Sequence, residues 1–184
     1  MSRIRLSSTW IILIFAGVLC QAQELAAGKL LIASRKSVDP DLAKSVVLLV
    51  RYEREGVIGL VVNQPSKVPL SELFPALKTA QALVHKGGPI AIGIRALLRS
   101  PSKPGPGLHV FADVSMISNR RVMEDVLRAG ASPSSFRVYA GYVGWSTQQL
   151  KNEVARGLWR VLPPDAGVVF DPDPEKVWNR LITR

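Results

Sequence analysis

The stretch Ser45-Val-Val-Leu-Leu-Val-Arg-Tyr52, then Glu53-Arg-Glu-Gly56, then Val57-Ile-Gly-Leu-Val-Val62 decides the fold class. Its first arm is an apolar, β-branched run without polar alternation. Such a run fits a strand covered on both faces. The second arm repeats the pattern. The four residues between them include a glycine, so the arms read as a hairpin. Asn63-Gln64-Pro65 ends it. Further along, hairpins and crossover helices are mixed, which argues against a purely parallel doubly wound sheet.

Working outward, Gly28–Ala33 predicts a first strand, and Asp39 with Pro40 predicts a capped helical turn. Pro69–Leu77 carries Leu70, Leu73, Phe74 and Leu77 at helical spacing, with Pro75 as an early stop. His85-Lys-Gly-Gly-Pro89 reads as a turn. Ile90–Leu98 and Leu108–Ala112 read as strands around an exposed Pro/Gly-rich connection, Ser100–Gly107. Ser118 is the expected cap of a helix to about Ala129, with Val122, Met123, Val126 and Leu127 as its apolar stripe and Gly130 as its stop. Phe136–Tyr142 alternates as a strand. Trp159–Leu162 and Gly167–Phe170 read as two more. Asp173-Pro174-Glu175 starts a last helix that turns Val177, Trp178, Leu181 and Ile182 inward.

Residues 1–22 read as an export signal, leaving residues 23–184 as one domain. Arg3 and Arg5 form the positive region, Trp10–Leu19 the apolar one, and Cys20-Gln21-Ala22 a cleavage site after Ala22. Ten apolar residues fall short of the roughly twenty that span a bilayer. The expectation is export, to the periplasm in a Gram-negative bacterium; an uncleaved N-terminal anchor is the alternative. Cleavage removes Arg3 and Arg5, lowering the formal net charge from +10 to +8, and removes Cys20, the sole cysteine. The remaining basic residues are scattered, without a block or an aromatic-interleaved helix, which favours a soluble basic surface over a nucleic-acid footprint.

Reaction chemistry has few candidates. His85 and His109 are the only histidines, and neither has partners at the spacing a structural zinc site needs, so no metal and no cofactor are expected. There is no G-x-S-x-G elbow and no phosphate loop. Asp39/Asp41 and Asp171/Asp173 flank prolines where helix caps are wanted, and Glu124-Asp125 lies opposite an apolar stripe. Gly87 and Gly88 permit backbone angles closed to other residues, and the amides there offer either a tight turn or a small anion nest.

Tyr139-Ala-Gly-Tyr-Val-Gly-Trp-Ser-Thr-Gln-Gln-Leu150 crowds aromatics and glycines before a helix start. Gly141 and Gly144 suggest a sharp swing from strand to helix. Ser146 and Gln149 have capping-box spacing, and Gly157 stops the helix that follows. Tyr142 and Trp145 read as braces of this corner or as pocket walls. The candidate pocket is Asn63, Gly87, Gly88, Tyr142 and Trp145, with no catalytic residue assigned.

Gly28-Lys-Leu-Leu-Ile-Ala33, Asp39-Pro40, Ser45–Leu49, Gly59-Leu-Val-Val-Asn63 with Pro65, Leu70–Leu73, Gly87-Gly-Pro89, Gly141-Tyr-Val-Gly-Trp145, Gln149-Leu150 with Glu153, and Phe170-Asp171 with Trp178 follow one another in an order that resembles the YqgE/AlgH family. The resemblance covers nearly all of the chain after residue 22. It implies an α+β fold: a bifurcated mixed β-sheet folded into a pseudo-barrel with helices packed outside. It implies no catalytic residues, because the family is uncharacterised; a role in transcriptional regulation has been proposed for alginate-producing bacteria. Three departures stand out: Gln64 in place of the usual arginine, Gln148-Gln149-Leu150-Lys151 for Gly-Gln-Leu-Glu, and a segment ending in Arg99 rather than near a histidine. Export would also put cytoplasmic DNA out of reach. Three functions therefore compete: an exported non-enzymatic binding or envelope-associated protein, an enzyme using the candidate pocket, and a nucleic-acid binder.

Overall fold

The computed structural model describes residues 24–36, 39–77, 82–101 and 106–183; the export signal assigned to residues 1–22 lies outside them. Among the described residues, ten strands and five short helices follow one another: β1 (Leu30–Ala33), β2 (Val46–Glu53), β3 (Gly56–Val61), β4 (Pro65–Pro69), α1 (Leu70–Leu73), β5 (Leu83–Lys86), β6 (Ile90–Arg99), β7 (Leu108–Phe111), β8 (Val114–Ile117), α2 (Arg120–Arg128), β9 (Phe136–Trp145), α3 (Thr147–Ala155), β10 (Trp159–Leu162), α4 (Ala166–Val169) and α5 (Pro174–Ile182). A 3-10 turn at Pro40–Leu42 is capped by Asp39, as its sequence predicts.

The main path of the sheet runs β10-β1-β2-β3-β9-β6-β8-β7, antiparallel throughout. It does not close on itself. A branch leaves it at β9, where β5 pairs in parallel at His85↔Tyr139 and Lys86↔Ala140 and carries β4 on its far side. One edge of β9 thus serves β6, while its other edge serves β5 first and then β3, through Val143–Trp145. This is the bifurcation.

The β2–β3 hairpin is buried on both faces. Val46, Leu48 and Val50 join one apolar cluster with Leu60, Trp178 and Leu181, while Val47 and Leu49 join another with Val61, Trp145 and Leu150. That double coverage is why the hairpin reads as an unbroken apolar run. A third cluster packs Phe74, Met123 and Val138 between α1, α2 and the β6–β8 region. Strand β9 contributes to all three clusters through Val138, Tyr139 and Val143.

Several local expectations are corrected. Gly167–Phe170 is not a strand: Asp165 accepts from the N–H groups of Gly167 and Val168 and caps α4. Asn119, not Ser118, caps α2. His85 and Lys86 belong to β5 rather than to a turn. The chain does not swing at Gly141, because β9 continues to Trp145 and the turn into α3 follows it. The β2–β3 connection tightens to Arg54 and Glu55, and α1 is only four residues long.

Candidate functional site

The aromatic corner becomes a seam. Trp145 ends β9 and Trp159 begins β10, and in the sheet these strands are separated by β1, β2 and β3. At about 4.8 Å per strand, a flat sheet would hold them roughly 19 Å apart. Their rings instead meet edge to face, with centroids 5.9 Å apart and planes at 89°. This half of the sheet therefore curls until its two margins face each other. Side chains and helix α3, rather than backbone hydrogen bonds, bridge the gap, and this makes the fold a pseudo-barrel.

Glu153 clasps the seam. Its Oε2 accepts from Trp145 Nε1 at 3.1 Å and from Trp159 Nε1 at 2.7 Å, and its Oε1 accepts from Gln149 Nε2 at 2.9 Å. The helix delivers Gln149 and Glu153 on one face by their four-residue spacing. Ser146 Oγ accepts from Gln149 N–H, but the Gln149 side chain turns to Glu153, so only half of the expected capping box forms. A cavity of about 300 Å³ opens over the seam. Pro89, Ile90 and both tryptophans contribute apolar wall, and Asp39, Gln149, Glu153 and Arg156 contribute polar groups.

Of the expected pocket residues, only Trp145 lines this cavity. Asn63 lines a separate polar cavity with Lys44 and Lys86, and its own amide is committed to the backbone. Its Oδ1 accepts from Val46 N–H at 2.7 Å and its Nδ2 donates to Lys44 O at 3.0 Å, clamping the left-handed Lys44 (φ 55°). Tyr142 is half-buried, with the Arg95 guanidinium 4.3 Å from its ring centroid.

Gly87 and Gly88 sit at the fork. Gly87 donates to Ala140 O and accepts from Val61 N–H, joining β9 to β3 where the branch leaves. A Cβ on Gly87 would fall 2.3 Å from Gly141 O, and one on Gly88 would fall 2.4 Å from the Tyr142 carbonyl carbon. Lys86 N–H is likewise taken, by Gln64 O. The first two amides of the suggested anion nest are therefore ladder groups.

His85, beside the fork, is buried with its ring 5.3 Å from that of Tyr139. Burial, reinforced by the nearby Arg137 cation, lowers the His85 pKa to about 4. Burial raises the Tyr139 hydroxyl above the usual phenol range, while Arg137 pulls it down.

Asp39, Gln149, Glu153, Arg156 and Trp159 are among the site residues that the candidate pocket misses. Only the Gln149–Glu153 spacing signals the site locally; Trp159 arrives through the curl.

A forked, curled, mainly antiparallel sheet whose margins meet at a tryptophan–carboxylate seam defines an α+β class. The chain belongs to the AlgH-like family, whose model matches residues 30–184. That family has no established biochemical function. A UPF0301 protein of Streptomyces avermitilis is 30% identical over 167 residues, covering 85% of each chain. Another, from Methylococcus capsulatus, is 32% identical over 163 residues, covering 85% of this chain and 89% of its own. Among solved structures, the AlgH protein from Pseudomonas aeruginosa is similar with a TM-score of 0.69 at 28% identity, over 85% of this chain and 87% of that one. Protein DIP2367 from Corynebacterium diphtheriae, at 22% identity and TM-score 0.69 over 86% of each chain, shares the fold.

Proposed function

We propose that this AlgH-like chain is an exported, envelope-associated binding protein rather than an enzyme, with residues 23–184 as its one domain. The observation that carries the reading is the cavity over the Trp145–Trp159 seam. Apolar walls with a few convergent polar groups are the usual make-up of a small-molecule site. Its 300 Å³ equals about ten water volumes, matching a ligand of about ten heavy atoms. Glu153 commits three of its roughly four lone-pair sites to N–H donors, and so positions the tryptophans. Arg156 and Asp39 offer opposite charges at the same cavity, which suits a polar or zwitterionic ligand.

Export rests on the three-part N-terminal pattern and brings envelope components within reach. Two measurements test the proposal. Subcellular fractionation with N-terminal sequencing should find the native chain in the envelope fraction, beginning at Gln23. Thermal-shift titration of that chain against fractionated envelope extract should reveal a stabilising fraction. A cytoplasmic chain retaining Met1 would overturn export and restore the regulator reading. An unshifted melting curve with every fraction would overturn binding.

A further inference from the structure

We propose that a second cavity, between β5 and the start of β9, binds a small organic monocarboxylate through Arg137. This cavity shares no residue with the tryptophan seam and does not depend on the function proposed there. It measures about 270 Å³, with Leu70, Phe136, Pro172 and Pro174 among its apolar walls and His85 and Arg137 as its polar residues.

Two independent observations converge on an anion. The first is a buried cation without a counter-charge. Arg137 is 6% exposed, and it takes part in none of the ion pairs among the described residues. Its Nε, Nη1 and Nη2 donate to the carbonyls of Pro133, Val169 and Asp171 at 3.1, 3.1 and 2.5 Å. Carbonyl dipoles hold the guanidinium but do not neutralise it. A guanidinium has five N–H groups, so two remain beyond these carbonyls, with the Tyr139 hydroxyl beside them. The Asp171 carboxylate is engaged elsewhere, by Arg180 and by Asp173 N–H.

The second observation is that the neighbouring polar groups are also short of partners. His85 Nδ1 is buried without a hydrogen bond, and Tyr139 Oη has Arg137 as its one polar neighbour. A carboxylate would supply the negative charge that this cluster lacks, while the proline and phenylalanine walls suit an apolar tail. A cavity of about nine water volumes limits the ligand to about nine heavy atoms.

The test follows the ring nitrogens of the two histidines by NMR in the purified chain at neutral pH. Hexanoate is the probe; hexanol and hexylamine are its neutral and cationic counterparts. The expected result is a saturable shift of the His85 signals at about millimolar hexanoate, with exposed His109 unmoved and both counterparts inactive. Ala82→Leu fills the cavity without touching Arg137 and should weaken binding by about tenfold or more. Leu83→Trp, at a wall residue that is 44% exposed, is the second blocking variant should Ala82→Leu fail to fold. No saturable His85 shift, equal binding of hexanol, joint movement of His109, or full affinity in the blocked variant would each overturn the proposal.

Discussion

Trp145 and Trp159, on strands that three others separate, share one oxygen of Glu153 and lie edge to face. The carboxylate satisfies two indole N–H groups that would otherwise be partly buried without an acceptor. Glu153→Ala should therefore destabilise the chain by about 2–4 kcal/mol, as two orphaned donors predict. Glu153→Gln keeps one acceptor oxygen and should cost less. Urea unfolding measures the loss, and near-UV circular dichroism reads the tryptophan pair. An unchanged midpoint for Glu153→Ala would mean that ring packing alone holds the seam.

Glycines at the fork are separable from glycines in open space. Gly87→Ala places a methyl against the Gly141 carbonyl, and Gly141→Ala (φ 74°) places one 2.8 Å from two carbonyl oxygens. Each should cost about 3 kcal/mol or more, from backbone displacement at Gly87 and from displacement with left-handed strain at Gly141. Gly93→Ala has a similar φ of 71° but no neighbour within 4 Å. It should cost only about 1–2 kcal/mol, the left-handed penalty by itself. Thermal unfolding of the three variants checks the ranking.

Stability should fall as the solution is acidified through the His85 window. The folded pKa, about 4, lies below the unfolded value of 6.5, so the unfolded chain binds the extra proton between these pH values. The contribution is complete above about pH 6.5 and disappears towards pH 4, amounting to about 3 kcal/mol. Comparing urea midpoints of the parent and His85→Gln across this range isolates it. Parallel pH profiles would refute the assignment.

The Asn63 clamp predicts a graded series. Asn63→Ala leaves buried Val46 N–H without its acceptor and should cost about 1–3 kcal/mol. Asn63→Asp retains that acceptor but sets a buried carboxylate oxygen against Lys44 O, so it should cost as much or more. Chemical denaturation distinguishes the two.

The hairpin and α5 are legible in the sequence because their patterns are local: an unbroken apolar run in one, an Asp-Pro-Glu start and helical spacing in the other. Strand β4 is not, because prolines bound it and its ladder pairs only with β5. Strand β8 is hidden by a two-residue turn whose Ala112 takes φ 45° without the glycine or asparagine that usually marks such a turn. Val168-Val-Phe170 is too short to tell a strand from a buried helix, and the Asp165 cap decides it. At the site, Trp145 is conspicuous in the sequence, whereas Trp159 is brought to it only by the curl of the sheet. Gly87 and Gly88 are recognisable as special backbone positions, but their reason is the close passage of β9, which no local pattern encodes.

Strand β9 also sets an order of assembly. It pairs with β3, β5 and β6, all of which precede it in the chain, and it holds side chains in each apolar cluster. A chain emerging from its N-terminus can form the β2–β3 and β7–β8 hairpins early, but they share no ladder with each other. The two halves become one cooperative structure only once residue 145 is available, so loop-closure entropy is met late and largely at one strand.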